Sequence, residues 1–96
     1  MKPEADTKLG IAIETIGKRP INGLRHPPEK GTNGWYIWFG EDFSEKGDFF
    51  KPVCMDHAGN YLSEDILDIL CLEPGFRFLS ANDYLDIWFD KNLLNS

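Results

Sequence analysis

The sequence predicts an α+β domain, a mostly antiparallel sheet with one or two helices packed on it, and three stretches predict it. Gly34-Trp35-Tyr36-Ile37-Trp38-Phe39-Gly40 places four of the thirteen aromatic residues in five consecutive positions between two glycines, the mark of a strand with turn punctuation. Ser63 followed by Glu64 and Asp65 and then by Ile66, Leu67, Ile69 and Leu70 reads as a capped helix. Phe76 to Leu79 and Tyr84 to Phe89, separated by Ser80 to Asp83, read as a closing hairpin.

Within the aromatic stretch a pleated strand puts Trp35, Ile37 and Phe39 on one face and Tyr36 and Trp38 on the other. Neither face is polar, so the strand reads as central, covered on both sides or covered on one and sticky on the other. Before it, residues 1–6 read as a frayed terminus. Ala5, Leu9, Ile13 and Ile16 fit a helical stripe while Leu9, Ile11 and Ile13 also alternate as in a strand. Gly17 as a C-terminal cap favours a helix ending near Ile16. Ile21 to Arg25 forms a short strand, and a hairpin pairing 21–25 with 35–39 is expected. Pro27 to Asn33 is a loop, since tandem prolines cannot donate to a ladder, and Asn33-Gly34 is the turn that feeds the strand.

After Gly40 the composition changes to Glu41-Asp42-Phe43-Ser44-Glu45-Lys46-Gly47-Asp48-Phe49-Phe50, with acids and phenylalanines in no clean period, which reads as a loop or at most one helical turn. Val53-Cys54-Met55 suggests a short strand and Ala58-Gly59-Asn60 a turn. In the helix, Leu62 can staple onto Leu67 while Asp68 faces outward, and Pro74-Gly75 stops the helix. In the last strand Leu85, Ile87 and Phe89 form the face expected in the core. Tyr84, Asp86, Trp88 and Asp90 form the face expected at the surface.

The 96 residues carry 10 basic and 16 acidic side chains, a formal charge of −6. Residues 1–48 hold 7 basic against 8 acidic groups and residues 49–96 hold 3 against 8. Such a balance disfavours nucleic acid and anionic membranes as partners. The first six residues lack the apolar core of a signal peptide, and no run approaches the ~20 apolar residues of a membrane helix. A cytoplasmic location is expected, with Cys54 and Cys71 kept as thiols.

Catalytic signatures are absent: the chain has no Gly-x-Ser-x-Gly, Walker-type loop, His-Glu-x-x-His or dinucleotide fingerprint. Cys54-x-x-His57 has half the spacing of a zinc site, with Cys71 as a further thiol and His26 remote beside two prolines. A structural site needs four ligands, so two buried thiols and an incidental histidine are favoured, and no metal or cofactor is expected. Cys54 with His57 as nucleophile and base would need contact and an orienting group. The acidic aromatic segment admits two readings. It is a solvated loop whose phenylalanines fold back into the core, or it is a protein-binding surface with aromatic anchors and steering acids. Trp88 between Asp86 and Asp90 has the same chemistry.

Ile21-Asn22-Gly23-Leu24-Arg25-His26-Pro27-Pro28 followed by Gly34-Trp35-Tyr36-Ile37-Trp38-Phe39-Gly40-Glu41 resembles a bacterial immunity-protein family of polymorphic-toxin systems. The shared pattern is a glycine and hydrophobics before an Arg-x-x-Pro step, then a Gly-Trp strand running into Gly-x-Glu. Asp48-Phe49-Phe50-Lys51-Pro52, Pro74-Gly75-Phe76-Arg77-Phe78-Leu79 and Tyr84-Leu85-Asp86-Ile87-Trp88-Phe89-Asp90 are similar to a branch of that group. The resemblance covers residues 20–90 and implies a small α+β domain that binds a cognate toxin and blocks it without catalysis. Glu41, Asp42, Phe43, Glu45, Asp48, Asp86, Trp88 and Asp90 are the expected contact residues, and the partner is expected to be basic. The alternatives are a small-ligand or regulatory module using Tyr36 and Trp38 as a stacking platform, and an enzyme built on Cys54 and His57.

Overall fold

The fold was obtained as a computed structural model that describes residues 6–29, 31–42 and 48–95. Six strands, β1 (Lys8–Ile11), β2 (Ile21–Arg25), β3 (Thr32–Phe39), β4 (Lys51–Cys54), β5 (Phe76–Ala81) and β6 (Tyr84–Phe89), form one sheet in the order β4-β1-β3-β2-β5-β6. β1 and β3 pair in parallel and every other neighbour is antiparallel. One α-helix, α1 (Glu64–Ile69), and 3₁₀ segments at Ile13–Thr15, Met55–Asn60 and Lys91–Asn95 complete the α+β fold.

The aromatic strand is central, as its composition demands. Trp35, Ile37 and Phe39 of β3 join Leu9 and Ile11 of β1, Val53 of β4 and Phe78 of β5 on one face of the sheet. Met55, Ala58, Leu62, Ile66, Ile69 and Leu70, from α1 and the turn before it, close over that face. Trp35 is the hub. Its ring is fully buried, and its indole Nε1 donates to the Leu70 carbonyl at 3.0 Å, so the largest core side chain brings its polar atom already satisfied.

Arg25, of the Arg-x-x-Pro step, is the strut beside it. Its Nε donates to the Asn33 carbonyl at 2.8 Å and a terminal nitrogen to the Leu72 carbonyl at 2.6 Å, and the guanidinium lies 5.8 Å from the Trp35 ring. Burial lowers its pKa from the ordinary arginine value, while Glu73 and Cys71 oppose the shift. One cation thereby ties the start of β3 to the segment after the helix.

The hairpin of β2 and β3 has the expected register, from Ile21 opposite Phe39 to Arg25 opposite Trp35. α1 begins where its cap predicts, with Ser63 Oγ accepting from the Ile66 amide at 3.4 Å. Its Ile66, Ile69 and Leu70 are buried and Asp68 is exposed.

Four local expectations are corrected. The stretch after Asp6 is strand β1 followed by a single 3₁₀ turn, because alternation puts Leu9 and Ile11 into the core between β3 and β4; neighbouring strands override the helical stripe. Asn33-Gly34 does not turn the chain but makes an irregularity inside β3. The β1 partners step from Lys8–Thr32 to Gly10–Tyr36, so β3 carries extra residues there. Gly34 has φ +90°, and its amide neighbourhood is so tight that a Cβ would fall 1.8 Å from the His26 carbonyl oxygen. Ala58-Gly59-Asn60 ends a 3₁₀ run rather than forming an isolated turn.

The fourth correction concerns β6. Leu85, Ile87 and Phe89 do share the core side of the sheet, but the helical layer stops at β5. Phe78 is 1% exposed whereas Ile87, its register partner, is 41% exposed.

Candidate docking edge

β6 has β5 as its only pairing partner among the described residues, so its other side is an unpaired edge. All six of its residues are exposed. Tyr84, Leu85, Ile87, Trp88 and Phe89 are large and apolar or aromatic, a composition that edge strands of soluble proteins ordinarily avoid. The chain then leaves downward: the Asp90 amide donates to the Gly75 carbonyl and Leu93 tucks into the protein beside His26, so the last 3₁₀ segment does not cover the edge.

On the outer face of the sheet, away from α1, the register places Trp88 beside Arg77 and Asp86 beside Leu79. The Arg77 guanidinium lies 5.6 Å from the Trp88 ring centroid and also pairs with Asp90 at 3.2 Å. Asp90 Oδ1 accepts from the Asn92 amide at 3.0 Å. Asp90 is therefore engaged within the fold, holding the ring's cationic neighbour and starting the final turn. Asp86 and Trp88 lie on the edge strand itself.

Glu41 and Asp42 are exposed just past the end of β3. Phe39 pairs with Ile21, Ile21 with Ser80 and Ser80 with Leu85, so this end of β3 and the start of β6 share one end of the sheet. Three strand spacings, about 14 Å, separate them. Lys18 packs at the same end, its side chain 3.1 Å from where a Gly40 Cβ would be. Asp48 is exposed on the returning chain, toward the opposite edge strand β4. Phe43 and Glu45 lie outside the described residues.

The other two sequence constellations resolve differently. Trp38 is only 6% exposed, with Phe50 ring-to-ring at 6.2 Å, so it offers no open stacking face. Tyr36 is half-buried against Phe50 and His26 and divides two hollows of about 310 and 290 Å³. Both cysteines are partly rather than fully buried. Cys54, Asp56 and His57 bring their donor atoms within 4.8 Å of one another. The Asp56–His57 separation of 4.0 Å is too long for the hydrogen bond that would orient a catalytic base.

Asp86 and Trp88 are exposed on the edge strand, and so are Leu85, Ile87 and Phe89, which alternation assigns to the core. Alternation names the two faces of a strand and not how far the covering layer reaches; that β6 is the last strand was the available hint of an edge. No helix among the described residues is long and apolar enough to cross a membrane.

No curated protein and no solved structure matches the chain. The family comparison does match, over residues 1–90, and that span includes the aromatic hairpin, the Arg25 strut, the capped helix and the whole of the β6 edge. The chain belongs to the Imm33-like domain family, whose name marks it as an immunity-protein family.

Proposed function

We propose that this protein is a non-enzymatic immunity protein that binds a bacterial toxin domain in the cytoplasm and blocks it stoichiometrically, with β6 as the centre of the contact. The observation that carries the reading is the exposed apolar edge strand, five large side chains on six residues with one unpaired backbone side. Such a surface gains affinity by burying aromatic anchors and by adding backbone hydrogen bonds to a partner's extended segment. Trp88, held by Arg77, is the anchor on the outer face, and Leu85, Ile87 and Phe89 are the anchors on the other.

Acidic groups supply the second component. Asp86 on the strand, Glu41 and Asp42 at the same end of the sheet, and Glu45 in the following segment form the proposed steering set for a basic partner, with Phe43 as a further anchor; Asp48, toward the β4 edge, adds only to the overall negative field. Asp90 acts through Arg77, positioning it against Trp88. With a net charge of −6, encounter with a basic toxin is accelerated at low salt, while the buried aromatics set the release rate.

Capture of the purified product of the adjacent reading frame tests this. Binding is expected to weaken as salt is raised from low to physiological strength, and to fall more than tenfold in Trp88→Ala, about the loss expected of an aromatic hot spot. Unchanged affinity in Trp88→Ala moves the interface elsewhere. The hollows beside Tyr36 favour the small-ligand reading instead if they bind a small molecule that quenches tryptophan fluorescence and no toxin partner is captured.

A further inference from the structure

We infer that Cys54, Asp56 and His57 form a binding site for a zinc-like divalent cation, independent of the docking edge and at the opposite side of the sheet. Cys54 ends β4, the other edge strand, and is the N-cap of the 3₁₀ run Met55–Asn60. Cys54 enters the run in extended conformation, and the tight 3₁₀ turn that follows returns His57 to its side with Asp56 next to them. The thiol, carboxylate and imidazole atoms lie within 4.8 Å of one another, and Asp56 Oδ1 is 4.0 Å from His57 Nδ1.

The backbone under these donors is fixed from the other side. Met55 and Ala58 alternate with them and are buried in the core, and the Met55 amide donates to the Thr7 carbonyl at 2.8 Å. The three donors thus fall within four consecutive positions on an anchored turn, so no loop need be closed to assemble them. Zinc bonds of about 2.0–2.3 Å require donors roughly 3.5 Å apart. The remaining contraction of about 1 Å is within reach of rotamer changes; Asp56 and His57 are 56% and 65% exposed, and Cys54 is partly buried.

The donor set selects the metal class. One thiolate, one imidazole and one carboxylate match zinc and its tetrahedral relatives, whereas calcium and magnesium require oxygen donors. Three protein ligands leave the fourth position to water. Lys8, the cross-strand partner of Cys54, is exposed, so its positive charge is largely screened from the cation. The Cys54-x-x-His57 spacing is the part of this arrangement visible in the sequence; Asp56 joins it through the fold of the turn.

The test is titration of the tag-free chain carrying Cys71→Ser, which leaves one thiol, with cobalt(II) and then zinc. A thiolate-to-cobalt charge-transfer band saturating at one equivalent and displaced by zinc is expected. Cys54→Ser should abolish the band, and Asp56→Asn and His57→Ala should each weaken zinc binding by more than about tenfold, the loss that even an outer-shell partner causes. In the unsubstituted chain zinc should slow alkylation of Cys54 and not of Cys71, a readout that does not depend on the Cys71 variant folding. Absence of the band together with unprotected Cys54 overturns the site. So does a band that survives both Asp56→Asn and His57→Ala, because Cys54 would then be binding alone.

Discussion

Two aromatic–cation contacts of similar geometry serve opposite purposes. Arg25 over Trp35 is sealed in the interior by two backbone carbonyls, whereas Arg77 over Trp88 lies at the sheet edge with a carboxylate partner. Arg25→Met keeps the apolar stem but leaves the Asn33 and Leu72 carbonyls without their donors. It is expected to lower unfolding stability by about 3 kcal/mol in denaturant titration; a loss below 1 kcal/mol would mean that water replaces the guanidinium. Trp88→Ala, at a residue 38% exposed, should cost about 1–2 kcal/mol, short of the roughly 3–5 kcal/mol of a core aromatic. A sharp fall in melting temperature would instead make Trp88 part of the core and misplace the interface. The Arg-x-x-Pro step was visible in the sequence as a pattern, but its role was not, because the carbonyls it satisfies are 8 and 47 residues away.

Among the elements, β3 and β6 define the molecule, the first by being covered and the second by being left open. β3 keeps its register despite the irregularity at Gly34, and that residue admits no side chain. Gly34→Ala should destabilise by more than about 2 kcal/mol, against about 1 kcal/mol for Gly17→Ala. Gly17 also has positive φ but open space around it, so equal effects in thermal melts would show that φ alone decides. On β6, Ile87→Lys is expected to change stability by no more than about 0.5 kcal/mol while abolishing toxin capture. A large loss of stability would place Ile87 under cover. The β2–β3 hairpin and α1 were legible because their determinants are local: alternation, turn residues, a serine cap with acids behind it. β1 was not, because its choice between strand and helix is settled by β3 and β4, which flank it. The exposure of β6 was hidden for the same reason, since the reach of the helical layer is a tertiary fact.

At the scale of the whole molecule, the sheet separates three tasks. The core side is stabilised by Trp35 and the α1 layer, the β4 edge carries the Cys54–Asp56–His57 donors, and the β6 edge carries the proposed toxin contact. The acidic surplus of the second half of the chain lies in the sequence; which acids stand near the edge had to come from the sheet order, which brings Glu41 to the same end as Tyr84 and ties Asp90 to Arg77. Because the proposed contact strand packs outside the core, variants of β6 should separate binding from folding. The most direct measurement is growth of cells expressing the reading frame beside this gene, alone, with this protein, and with its Ile87→Lys and Trp88→Ala variants at matched abundance. The account predicts that the neighbour is toxic, that this protein restores growth, and that both variants fail to do so. A neighbour that is harmless, or rescue that survives both substitutions, contradicts it.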